Sequence, residues 1–231
     1  MKLFQTSLIA SSLALASVAA NAADSNMYAV LGMQQSTLDE NVSLLSDLGV
    51  SVDDNDLGTT FSLGYRLNDF LSFELGYLDL GDILSASYSE RVTTSSGSRT
   101  LGGDTYTWSN NLEVGGSANI NVDGYTFAAL FKESLNNDID IFAKAGIYNW
   151  DAKATITAGV TAGTFTKNGV NIAQETVTGD ADGTDWFWGL GASYKIDEET
   201  ALRAEYNRYT LKAFDESGDV ESYGLSLVIN F

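Results

Sequence analysis

The sequence predicts an all-β protein, an eight-stranded antiparallel up-and-down transmembrane β-barrel. Three observations predict it: segments that alternate apolar and polar residues, connections that are short and long in turn, and an amino end that reads as an export signal. Closing such strands into a ring satisfies every backbone N–H and C=O without water, which an open sheet in hydrocarbon cannot do.

Composition narrows the chemistry. The chain has 231 residues, 12 Lys plus Arg against 31 Asp plus Glu, a formal net charge of -19, and neither Cys, His nor Pro. Without Cys there is no disulfide framework, thiolate nucleophile or Cys-ligated metal. Without His, hydrolases that need an imidazole base or zinc ligand lose their usual machinery. The acidity also argues against nucleic acid, whose phosphates are neutralised by Lys and Arg. The expectation is a non-enzymatic protein with no cofactor and no metal. The length suits one all-β domain.

Residues 1–22 read as a signal peptide: Lys2 is the positive start, Leu3 to Ala20 is uncharged and mostly apolar, and Ala20-Asn21-Ala22 is a small-residue cleavage site. The mature domain is expected over residues 23–231. Cleavage removes only Lys2 among charged residues, so the exported product is more acidic still. Beyond Ala23 no apolar stretch approaches the length of a membrane helix. Any crossing must use strands.

The first strand, near Met27 to Gln34, has two possible outer faces, Met27/Ala29/Leu31/Met33 or Tyr28/Val30/Gly32, and its register stays open. The second offers Phe61, Leu63 and Tyr65, the third Leu71, Phe73, Leu75 and Tyr77, and the fourth Tyr125, Phe127, Ala129 and Phe131. The fifth offers Ile139, Ile141, Ala143, Ala145 and Ile147; the sixth Trp186, Trp188, Leu190, Ala192 and Tyr194; the seventh Leu202, Ala204 and Tyr206. The eighth is the clearest, with Tyr223, Leu225, Leu227, Ile229 and Phe231 alternating with Ser222, Gly224, Ser226, Val228 and Asn230. None of the outer positions is charged, whereas the opposite phase holds small and charged residues that would make a poor soluble core. Tyr77, Tyr125, Trp186, Tyr206 and Tyr223 recur towards strand ends, as the interfacial girdles of a barrel do.

Connections alternate too. Leu67 to Asp69, Glu133 to Asp138 and Asp197 to Glu199 are tight turns; Ser36 to Asp56, Gly81 to Ile120 and Asp151 to Gly183 are long excursions, and Ala213 to Asp219 is a shorter one. Short turns on the periplasmic side and long loops outside is the outer-membrane arrangement. Ser85 to Thr93 and Trp150 to Ala158 keep partial alternation and are expected to extend as strands above the membrane.

The residues at this point resemble the OmpA-like eight-stranded outer-membrane barrels. The resemblance rests on the signal peptide, Phe73-Glu74-Leu75-Gly76-Tyr77, the run Ile141 to Asp151, Leu202-Arg203-Ala204-Glu205-Tyr206 and the terminal Phe231. It covers essentially the whole mature chain. It implies a bacterial outer membrane, contact with outer-membrane lipid, and insertion by the barrel-assembly machinery, for which Phe231 resembles the assembly signal. The sequence stops at Phe231, so the peptidoglycan-binding domain of two-domain members is not expected.

Glu74 on the third strand, Lys144 on the fifth, and Arg203 with Glu205 on the seventh share the inner phase and sum to zero charge. An eight-stranded barrel is only just wide enough for side chains, so these groups can reach one another. Unpaired buried charges are very costly. An ion-pair network is expected, either Glu74 with Arg203 and Lys144 with Glu205 or the swapped pairing, filling the lumen as a packing solution and plugging it.

The loops are acidic. Asp39, Glu40, Asp47, Asp53, Asp54 and Asp56 fall in the first, and the third ends Gly179-Asp180-Ala181-Asp182-Gly183-Thr184-Asp185. Asp180-x-Asp182-Gly183 lacks the rest of a calcium loop, so a hydrated, self-repelling outer surface is the simpler reading. The expected function is envelope integrity or surface interaction by a monomer. The alternative is a narrow porin-like channel for small solutes, motivated by the Gly- and Ser-rich inner phase. A carboxylate-only barrel enzyme and a soluble secreted β-sandwich adhesin complete the range.

Overall fold

A computed structural model of the chain describes residues 26–38, 51–53, 56–92, 95–213 and 216–231. The strands are β1 (Met27–Leu38), β2 (Ser51–Asp53), β3 (Asp56–Arg66), β4 (Leu71–Arg91), β5 (Gly97–Leu101), β6 (Asp104–Trp108) and β7 (Glu113–Ser134). They continue as β8 (Ile139–Ala162), β9 (Phe165–Lys167), β10 (Val170–Asn171), β11 (Glu175–Lys195), β12 (Thr200–Ala213) and β13 (Glu216–Asn230). The signal segment and the loop carboxylates Asp39, Glu40, Asp47 and Asp54 lie outside the described residues.

Eight of these strands, β1, β3, β4, β7, β8, β11, β12 and β13, each pair antiparallel with the next, and β13 returns to β1. The ring is closed. Its shear follows from the register: Tyr28 pairs with Gly64, Gly64 with Glu74, Glu74 with Ala128 and Ala128 with Gly146. From there Gly146 pairs with Phe187, Phe187 with Tyr209, Tyr209 with Val220, and Val220 with Leu38. One circuit therefore climbs ten residues along β1, from Tyr28 to Leu38. With ordinary strand spacings that stagger tilts the strands by about 40°, within the range that closes eight strands around a filled interior. An even stagger also keeps each side chain on one side of the wall all the way round.

The two phases sort accordingly. Phe127 and Leu225 on the outside are 48% and 61% exposed, while Glu74 and Arg203 on the inside are each 5% exposed. The first strand resolves in favour of Met27, Ala29, Leu31 and Met33 outside, because Tyr28, Val30, Gln34 and Ser36 are buried in the lumen. Tyr77 packs edge-on against Tyr125 at 5.5 Å, and Tyr206 sits between Trp188 at 5.7 Å and Tyr223 at 5.2 Å, giving an aromatic belt at one end of the apolar band.

Three turns at the opposite end repeat one chemistry. Asn68 Oδ1 accepts from the backbone N–H of Phe70 and Leu71, Asn136 Oδ1 from Asp138 and Ile139, and Asp197 Oδ1 from Glu199 and Thr200. An Asx side chain closing its own backbone reverses the chain without Pro. The second turn is tighter than the expected Glu133 to Asp138, since β7 runs on through Ser134.

The long excursions are mostly strand. β4, β7, β8 and β11 have 21, 22, 24 and 21 residues, against the roughly 9 to 11 that cross a bilayer. They rise beyond the membrane as a four-stranded wall, beside which the β5/β6 hairpin and β9/β10 form a second, four-stranded sheet. Most of the expected Ala213 to Asp219 excursion is taken up by strand, because β12 and β13 pair up to Ala213 and Glu216.

Candidate functional site

The lumen is layered, and the register sets the layers. At mid-height β4, β8 and β12 contribute Glu74, Lys144, Arg203 and Glu205 to the inner face. Arg203 Nη1 donates to Glu74 Oε1 at 2.7 Å, and Lys144 Nζ to Glu205 Oε2 at 2.7 Å. The structure thus adopts the first of the two pairings. Tyr28 O–H donates to Glu74 Oε1 at 2.8 Å, so this oxygen serves two donors on two other strands. The Arg203 guanidinium lies 4.9 Å from the Phe142 ring centroid, and the Lys144 ammonium 5.8 Å from that of Phe187. Aromatic faces take up charge that carboxylates do not reach. The space left among these groups is about 20 Å³, room for about one water.

Beyond the charges, on the side of the wall, the lumen turns apolar. Tyr148, Trp150, Phe187, Tyr209, Leu80 and Val220 belong to one buried cluster, in which Phe187 stacks on Tyr209 at 5.1 Å and Tyr148 meets the same ring edge-on at 5.4 Å. In the sequence the inner phase shows small and charged residues, and this layer does not stand out from it. β8 and β11 carry apolar residues in both phases, as in Ile147-Tyr148 and Trp186-Phe187-Trp188, so alternation alone does not reveal the inner set. Tyr28 was hidden by the open register of its strand.

Towards the turns the lumen widens into a cavity of about 400 Å³. Lys132 and Lys195 share Asp140, at 3.3 and 3.8 Å, and Arg66 stacks 4.6 Å over Tyr28 while donating to Asn230. Phe231 closes the chain beside the first strand, its N–H donating to Met27 O at 3.2 Å. Among the described residues no group of three or more Asp or Glu is arranged to hold a metal ion.

A closed ring of eight strands, greasy and aromatic outside and ionic within, defines a transmembrane barrel of the bacterial outer membrane. The chain belongs to the OmpA-like transmembrane domain family, which it matches over residues 22–224. No curated protein matches it. Among solved structures, Neisserial surface protein A aligns with 13% identity and a TM-score of 0.49, covering 90% of this chain and 98% of that one. Ail, the attachment invasion locus protein of Yersinia pestis, aligns with 13% identity and a TM-score of 0.47, covering 90% and 100%. The N-terminal barrel domain of Pseudomonas aeruginosa OprF aligns with 13% identity and a TM-score of 0.41, covering 89% and 98%.

Proposed function

We propose that the protein is a non-enzymatic outer-membrane barrel with a plugged lumen, exported by a signal peptide cleaved after Ala22, whose acidic extracellular strands and loops serve envelope integrity and surface contact. The observation that carries the reading is the ionic layer of Glu74, Arg203, Lys144 and Glu205 beneath the aromatic layer of Tyr148, Phe187 and Tyr209. Two salt bridges with about 20 Å³ of space among them support a lumen closed to hydrated ions. The barrel acts as a monomer in outer-membrane lipid, with Phe231 as the signal read by the barrel-assembly machinery.

Planar-bilayer recording of the purified protein tests the plug. Silence is the expected result. A stable, reproducible unit conductance would overturn it in favour of a narrow channel for small solutes.

A further inference from the structure

The extracellular wall ends in an open strand edge, and its chemistry specifies what can pair with it. β11 pairs with β8 all the way from Glu175 to Tyr194, but with β12 only from Phe187 downward. Asp185 marks the parting: its Oδ2 accepts from the Lys212 backbone N–H at 2.9 Å and from Trp150 Nε1 at 3.0 Å, so a side chain takes the place of the next ladder bond. Above it, among the described residues, the stretch Glu175 to Thr184 has a strand on one side only. Over about 35 Å of strand, alternate N–H and C=O groups there have no partner strand among the described residues. The other margin of the wall is not equivalent, because β2 covers β4 at Ser85–Ser87.

The edge carries Glu175, Asp180 and Asp182 and no Lys or Arg. Asp182 also ends a row: Asp79, Asp123, Asp151 and Asp182 are paired in register across β4, β7, β8 and β11, all on the outer face. Like charges directly opposite one another repel, and the row is cut off at the free edge. Apart from Glu175 at its far end, the inner face of the same edge is apolar and small, with Val177, Gly179 and Ala181. Val177 is 61% exposed there.

We propose that this edge accepts an extended polypeptide segment of a partner by strand addition, one that presents Lys or Arg on the outer face and apolar residues on the inner. Backbone bonds supply the attachment, while a cation opposite Asp182 continues the aspartate row with the opposite sign. A second copy of this chain is the wrong partner, since its edge offers the same acidic residues and no Lys or Arg to set opposite Asp180 and Asp182. The inference rests on reading the extracellular strands as a contact surface and is independent of whether the lumen conducts.

The test uses the full barrel in lipid nanodiscs and fluorescently labelled nine-residue peptides, read by anisotropy. A peptide alternating Lys and Val is expected to saturate, and its Glu/Val counterpart and its fully N-methylated form are expected not to bind. Asp182→Lys should weaken the Lys/Val peptide by about tenfold and bring up binding of the Glu/Val peptide. Equal binding of the N-methylated peptide would reduce the effect to nonspecific charge and overturn the proposal. So would absence of Lys/Val binding, an unchanged preference in Asp182→Lys, or efficient disulfide dimers of Thr178→Cys. Failure here with a silent bilayer leaves the plugged barrel standing, whereas conductance with peptide binding removes the plug alone.

Discussion

Glu74 and Arg203 meet across the lumen from strands that are not neighbours in the ring, at 2.7 Å and 129 residues apart in sequence. The pair spans the barrel and locks its cross-section.

Removing one member tests how much. Glu74→Ala strands the buried Arg203 and withdraws the acceptor of Tyr28. The loss is expected to be about 3 to 5 kcal/mol, the range for a broken buried pair. Urea or heat unfolding in lipid measures it. The exchange Glu74→Arg with Arg203→Glu should recover a large part, because it restores the pair with the sign reversed. Unchanged resistance of Glu74→Ala would show that the pair does not hold the barrel.

Gly64 and Tyr28 make a second prediction. They are partners in register, and a Cβ on Gly64 would fall within the Tyr28 ring. The ring lies flat on the wall because the position facing it has no side chain. Gly64→Ala should push Tyr28 off Glu74 and cost about 1 to 3 kcal/mol, the range for overpacking. Adding Tyr28→Ala should make the second change far less than additive, since the clash and the lost hydrogen bond share one ring. Additive costs in the double variant would refute the contact.

Much of this is legible in the residues alone. The outer phase from Phe61 to Phe231 reads directly, because hydrocarbon tolerates no charge and each outer position obeys that. The same holds for Glu74, Lys144, Arg203 and Glu205, which stand out against the small residues around them. Which acid meets which base does not read, since both pairings satisfy charge and phase; the ten-residue stagger of the ring decides it. The aromatic layer was unreadable for a different reason. Once strands leave the bilayer the rule that fixes their outer face lapses, and Tyr148, Trp150 and Phe187 near that boundary are as apolar as their lipid-facing neighbours.

The row of aspartates leads to a third expectation. Asp151 is flanked in register by Asp123 on one side and Asp182 on the other, while Tyr77 O–H donates to Asp123 Oδ2 at 2.6 Å. Asp151→Asn removes a charge with two like neighbours and should stabilise the protein by up to about 1 kcal/mol at low ionic strength. Raising the salt should shrink the gain, because these groups face water. Unfolding of the variant at low and high sodium chloride supplies the comparison; destabilisation at low salt would mean that the row does not repel.

The last prediction concerns acid. Above the aromatic belt, Arg208 Nη2 donates to Asp219 Oδ2 at 2.8 Å and Nη1 to Glu221 Oε1 at 3.2 Å, and Thr210 O–H donates to Asp219 Oδ1 at 2.8 Å. The hydrogen bond from Arg208, then that from Thr210, holds the Asp219 carboxyl below the usual aspartate range. A carboxyl depressed in the folded state contributes stability above its unfolded value of about 3.9, and the contribution disappears as pH falls through the folded value. The link between β12 and β13 should therefore persist at pH 5 and loosen only under stronger acid. Arg208→Gln removes the principal cause, so the Asp219 titration, followed by carboxyl ¹³C shifts, should move up towards the ordinary value while Thr210 still donates. An Asp219 midpoint unmoved by Arg208→Gln would mean that the bidentate clamp at the top of the barrel does not form in the membrane.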